Sequence, residues 1–138
     1  MRPHIVLHEN SKEAPLLERE LTDKILNVAI EVHRAIGPGL LESVYQVCMA
    51  HEATLRSMQF EQQVPLQVKY KNVTLDAGYR LDFIFERKVI VELKAVDEVL
   101  PVHEAQLLTY MKLTGIRVGL LLNFNVPVLK NGIYRRAL

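Results

Sequence analysis

Tyr79-Arg80-Leu81-Asp82-Phe83-Ile84-Phe85 and, after Glu86-Arg87-Lys88, Val89-Ile90-Val91-Glu92-Leu93-Lys94 decide the fold. Both runs are dense in β-branched and aromatic residues, the composition of strands covered on two faces. Side chains alternate along a strand, so Leu81, Phe83 and Phe85 are expected on one face and Asp82 and Ile84 on the other. In the second run Val89, Val91 and Leu93 oppose Ile90, Glu92 and Lys94. With Glu86-Arg87-Lys88 as a hairpin loop, Phe85 faces Val89, Ile84 faces Ile90, and Asp82 faces Glu92. Two carboxylates then stand roughly 5 Å apart across the pair. Like charges that close raise a pKa or weaken the hairpin unless a cation lies between them. Oxygen ligands in this geometry suit magnesium or manganese. Lys94 projects from the same face, two residues beyond Glu92. The competing account is a solvated sheet face with an ordinary ion pair, and the apolar flanks weigh against it.

Outward from this pair the period changes. Leu21, Ile25, Val28, Ala29, Val32, Ala35 and Ile36 follow helical spacing, with Thr22 or Asp23 as a candidate cap and Gly37-Pro38-Gly39 as the stop. A second helix is expected over about Leu41 to Ser57, with Val44, Val47, Cys48 and Leu55 facing inward. Val64 to Tyr70 and Val73 to Leu75 alternate as strands around a Lys71-Asn72 turn. Pro101 suits the first turn of a helix reaching Leu113, which Gly115 ends. Residues 116 to 124 read as a further buried strand and Ile133-Tyr134 as a short edge strand. The order is two helices, four strands, a helix and a strand, with no internal repeat. That pattern predicts an α/β protein, a three-layer sandwich in which helices flank a mixed sheet of four to five strands. Residues 1–18 hold two of the prolines and no sustained period, so they read as a loose arm ahead of a single domain over 19–138.

Composition sets the outer limits. At 138 residues the chain can bury one core of useful size. A formal charge of +1 excludes a strongly basic nucleic-acid coat but leaves room for a local basic site. One cysteine, Cys48, excludes an intrachain disulfide framework and a cysteine-based zinc cluster. No apolar run reaches a membrane-spanning length and the start lacks signal-peptide order, so a cytoplasmic protein without a membrane partner is the expectation.

Further polar residues gather around the acidic strands. His103, Gln106 and Tyr110, three and four apart, are expected on one helical stripe, with Ala105, Leu108 and Met111 toward the core. Gly39-Leu40-Leu41-Glu42-Ser43-Val44-Tyr45 opens the second helix. There Glu42 either meets the positive end of the helix dipole or supplies a third carboxylate, and Tyr45 either packs or braces the site. His33 lies far from the acids in sequence and reads as a packing or helix-end residue. Neither His33 nor His103 sits in an H-x-x-x-H or C-x-x-C spacing, so neither is placed in a metal set.

In order, Gly39-x-x-Glu42-x-x-Tyr45, Asp82, Glu92-x-Lys94 and Gln106-x-x-x-Tyr110 resemble the GxxExxY family of the PD-(D/E)XK nuclease superfamily, with a RecB-like motif set. The likeness runs from about Leu21 to Tyr134, and Glu31-Val32-His33 and Gly37-Pro38-Gly39 share it. The superfamily's eponymous proline is absent, Leu81 standing before the aspartate.

The resemblance implies a restriction-endonuclease-like core and a metal-dependent nuclease acting on nucleic acid, DNA before RNA. It implies magnesium, or manganese, held by Asp82, Glu92, the backbone carbonyl of Leu93 and Glu42. Lys94 would position the attacking water and stabilise charge on the phosphate. Gln106 would orient Lys94 or the water, and Tyr110 would touch the scissile phosphate. Arg80, Tyr45 and His103 complete the expected set as substrate-side residues, and two-fold pairing makes a homodimer the expected assembly. The alternative within the same resemblance is a catalytically silent module that binds nucleic acid or a protein partner.

Overall fold

The computed structural model describes residues 8–9 and 17–138. Its elements run β1 (His8–Glu9), α1 (Arg19–Ile36), α2 (Glu42–Leu55), β2 (Phe60–Tyr70), β3 (Val73–Phe85), β4 (Val89–Lys94), α3 (Pro101–Thr114), β5 (Val118–Asn123) and β6 (Ile133–Ala137). The sheet order is β1-β6-β5-β4-β3-β2. β4 and β5 are parallel across the α3 crossover, while β2–β3, β3–β4 and β5–β6 are antiparallel. The expected sandwich is therefore present, with five substantial strands and the two-residue β1 beside β6, where it pairs with Tyr134 and Arg135. The remainder of the expected N-terminal arm, 1–7 and 10–16, lies outside the described residues.

Two apolar clusters hold the layers. On one face α1 and α2 bury Ile25, Ala29, Tyr45 and Met49 against Phe83, Phe85, Val91, Leu120 and Leu122. On the other, α3 sets Leu107 and Met111 against Ile84, Ile90 and Leu121. Phe83 and Phe85 are fully buried, so truncating either to alanine costs about 3–5 kcal/mol. Gly119 permits α3 to approach the sheet: a Cβ there would lie 2.7 Å from Met111 Sδ and 2.8 Å from Leu107 Cδ1.

Several expectations are corrected. α1 begins at Arg19, ahead of Thr22, whose hydroxyl donates to the Arg19 carbonyl within the helix instead of capping it. Val73–Leu75 and Tyr79–Phe85 belong to one long strand, not two. Gly78, at φ 72°, carries the backbone through the register shift between Pro65 and Gln67, and its amide donates to Asp76 Oδ1 at 2.7 Å. Alternation also breaks at Asp82: Leu81 joins Ile84 and Ile90 under α3 instead of Phe83 and Phe85. On α2 the inward stripe is Tyr45, Met49 and Ala53, whereas Val44, Val47 and Leu55 face outward. The helix is apolar around most of its circumference, so periodicity alone could not choose its buried side. Arg135 lies buried in β6 and donates to the Leu17 carbonyl, and Arg136 pairs with Glu104, so these two arginines are part of the fold.

Candidate active site

β3 and β4 pair through Phe85↔Val89, Ile84↔Ile90 and Phe83↔Val91, the register expected from the short hairpin. Beyond Phe83 the ladder opens. Asp82 N donates to Glu92 Oε2 at 2.8 Å, and Leu93 N donates to Asp82 Oδ2 at 2.8 Å. Each carboxylate thus replaces a carbonyl of the neighbouring strand as acceptor for a main-chain amide, which satisfies amides that the splayed ladder would otherwise orphan. Gln46, one turn into α2, donates its Nε2 to the Asp82 carbonyl at 3.1 Å and ties the helix to the opening.

The acids sit in an unfavourable field. Burial, then the Asp82 charge, pushes the Glu92 carboxyl up to about 7. Burial also raises Asp82, and the Glu42 carboxylate adds to the rise while Lys94 opposes it. Glu42, Ser43, Gln46 and Val47 from α2, with Gln63, Asp82 and Leu93, line a cavity of about 320 Å³. The start of α2 presents its positive dipole end to this cavity.

Tyr79 is a site residue that sequence reading did not single out. Its hydroxyl donates to Glu92 Oε1, and its ring stacks on Tyr110 with centroids 4.7 Å apart. Burial, then the Glu92 carboxylate, raises the phenol's pKa, so Tyr79 stays protonated and remains a donor. Its signal was its position three residues before Asp82, which reads as ordinary strand composition until the ladder is seen to open there.

The other expected residues divide. Asp82, Glu92, Lys94, Leu93 and Glu42 converge on the opening. Gln106 lies exposed on α3, while Tyr110 turns inward with Leu107 and Met111, correcting the expected stripe. Tyr110 therefore braces Tyr79 instead of facing open solvent. Tyr45 is fully buried and is not placed to touch a substrate. It stacks on Phe124 at 4.4 Å, donates to the Gly37 carbonyl at 2.6 Å and accepts from Leu40 N at 3.2 Å, holding the loop that leads to Glu42. His103 Nδ1 accepts from Leu100 N at 3.0 Å as a cap for α3. Arg80 is exposed within β3, opposite Pro65 of β2, its Nη1 3.5 Å from the Gln63 carbonyl. His33 Nε2 lies 2.8 Å from the Val126 carbonyl, a packing role.

Among the described residues no three His, Cys, Asp or Glu side chains gather tightly enough to enclose an ion by themselves. Two adjoining carboxylates with mutually raised affinity for a positive charge, beside an open cavity, nevertheless fit a magnesium-type ion. Such ions take one or two carboxylates and complete their shell with water and substrate phosphate.

The model of the PD-(D/E)XK nuclease superfamily matches residues 19–136, and the chain belongs to that superfamily. No curated protein and no solved structure matches the chain. Among the described residues, no helix is long and apolar enough to cross a membrane.

Proposed function

We propose that this protein is a magnesium- or manganese-dependent nuclease of the GxxExxY kind, hydrolysing phosphodiester bonds of nucleic acid, with DNA as the substrate. The observation that carries the reading is the reciprocal bonding of Asp82 and Glu92 at the mouth of the β3–β4 ladder. Two acids are held together there against their own repulsion, with Lys94 in the same field.

Asp82, Glu92 and the Leu93 carbonyl would hold the ion, and Glu42 would take a second ion or orient its water. A bound divalent ion would polarise the phosphate and acidify an attacking water. The chain's own residues do the rest. Lys94 places a compact ammonium where charge builds on the phosphate, and Gln106 orients Lys94 or the nucleophile. Tyr79, backed by Tyr110, keeps the Glu92 carboxylate aimed at the opening. Arg80 and His103 meet flanking phosphates.

The test is cleavage of labelled duplex, single-stranded and branched DNA and of RNA with magnesium or manganese, comparing the natural chain with Asp82→Ala and Lys94→Ala. Metal-dependent products, lost in both variants, are expected. Intact metal binding with no product from any substrate would overturn the enzymatic reading and leave a nuclease-fold binding module.

A further inference from the structure

The β2–β3 hairpin outruns the rest of the sheet. β4 is paired with β3 at Phe83, Ile84 and Phe85, so from Val73 to Arg80 the strand has β2 alone beside it among the described strands. From Gln67 through Gly78 no residue is buried. A two-stranded ribbon is marginal by itself, and this one is anchored at its base by Leu66, which packs with Leu81 and Leu107.

Its two faces differ. Val64 and Leu66 lie in the apolar cluster under α3, so alternation turns Pro65, Gln67 and Lys69 to the other side. Across the ladder Arg80 stands opposite Pro65, Asp76 opposite Gln67 and Thr74 opposite Lys69. This is the side on which Gln63 and Asp82 line the cavity, and the Arg80 guanidinium lies 3.5 Å from the Gln63 carbonyl. Val68, Tyr70, Val73 and Leu75 take the reverse face. The polar, cationic face of the ribbon is therefore continuous with the candidate site. Its acid, Asp76, is turned back to accept from Gly78 N. Lys71, in the turn, adds a third cation at the tip, its ammonium 5.4 Å from the centroid of the Tyr70 ring.

Reach selects the occupant. Lys69 and Lys71 stand roughly 13 and 20 Å beyond the Pro65–Arg80 rung, at about 3.3 Å per residue. The major groove of B-form DNA is about 12 Å wide and admits a two-stranded ribbon, whereas the A-form groove of duplex RNA is too narrow for it. With a phosphodiester at the Asp82–Glu92 opening, Arg80 meets the strand being cut and the tip lysines meet phosphates of the complementary strand across the groove. An unpaired strand presents no second backbone there. We propose that the β2–β3 ribbon is an arm that holds duplex DNA against the site, with Lys69 and Lys71 as its phosphate contacts. The choice of nucleic acid as occupant rests on the proposed function, and the arm is tested by binding without turnover.

The experiment titrates the full chain into labelled duplex DNA and into the same strand unpaired, with calcium in place of magnesium, over a series of salt concentrations. The arm variant is Lys69→Gln with Lys71→Asn, the asparagine suiting the left-handed backbone of residue 71 at φ 49°. Duplex binding should weaken at least tenfold and the slope of log affinity against log salt should shrink by about two. Single-strand binding, manganese affinity and melting temperature should hold. Lys24→Gln with Lys112→Gln removes the same charge from α1 and α3 and should leave duplex binding within about twofold, as expected of cations away from the contact. No duplex binding by the natural chain overturns the inference. So does unchanged duplex binding in the arm variant, equal loss on the single strand, or equal loss from the α1 and α3 changes. Arm-dependent duplex binding without cleavage in magnesium or manganese leaves the inference standing and overturns the nuclease reading alone.

Discussion

Asp82 and Glu92 each accept a hydrogen bond from the other strand's main chain: Glu92 Oε2 from Asp82 N and Asp82 Oδ2 from Leu93 N, both at 2.8 Å. The exchange fixes two acids at one point of the sheet as firmly as a ladder rung would. It also explains how the fold tolerates their repulsion, because an amide donor stabilises each ionised form. The same bonds that end the β3–β4 pairing thereby hold the two carboxylates side by side.

Apo stability should fall as pH rises from about 4.5 to 7. Glu92 ionises near its ordinary value when unfolded but is held up to about 7 when folded, through burial and the Asp82 charge. Across that window the folded state binds more protons than the unfolded one, so the contribution of this group is favourable at low pH and is lost on raising it. Thermal unfolding in EDTA between pH 4.5 and 8 should show the decline against a Glu92→Gln control, and millimolar manganese should reverse it at pH 8. A slope identical in the control would remove Glu92 as the cause.

Glu92→Gln should stabilise the metal-free protein at pH 8 by about 1–2 kcal/mol. It removes a buried charge, although the amide oxygen can no longer serve both the Tyr79 hydroxyl and Asp82 N as two carboxylate oxygens do. Manganese binding should disappear at the same time. Urea unfolding in EDTA, paired with calorimetric titration, reads both effects, and a destabilised apo variant would contradict the account.

Tyr79→Phe should keep the stack on Tyr110 while leaving Glu92 Oε1 without its donor. Loss of a hydrogen bond that orients a ligand commonly costs 10–100-fold in metal affinity. Titration with manganese should therefore show weaker binding by about that factor with little change in melting temperature. Unchanged affinity would reduce Tyr79 to packing.

Tyr45→Phe should destabilise the protein by about 1–3 kcal/mol, because its hydroxyl is the link between the Gly37 carbonyl and Leu40 N inside a fully buried site. Hydrogen exchange should accelerate over residues 37–42, directly before Glu42, with the rest of α2 protected. Acceleration spread evenly over the chain would point to global loosening instead.

Much of the architecture was legible because one covered face imposes a period. α1 announced its buried stripe through Leu21, Ile25, Val28, Ala29 and Val32, and the β3–β4 hairpin announced its register through alternation from Phe83 to Val91. The reading failed where two faces were equally apolar, as on α2, or where a bulge reset alternation, as between Leu75 and Leu81. Tyr110 was misplaced for a related reason: spacing groups residues on a stripe but does not say which stripe meets the sheet.

By itself, then, the amino-acid sequence determined the layer order, the β3–β4 register and the meeting of Asp82 with Glu92, since these follow from local periodicity and a short loop. Only the tertiary structure decided that the ladder opens at those acids, that Tyr79 holds Glu92, that Tyr45 is buried, and which side of α2 stays outside. Those outcomes depend on contacts between distant segments and on competition among faces of similar hydrophobicity. Neither is written in the period of any one segment.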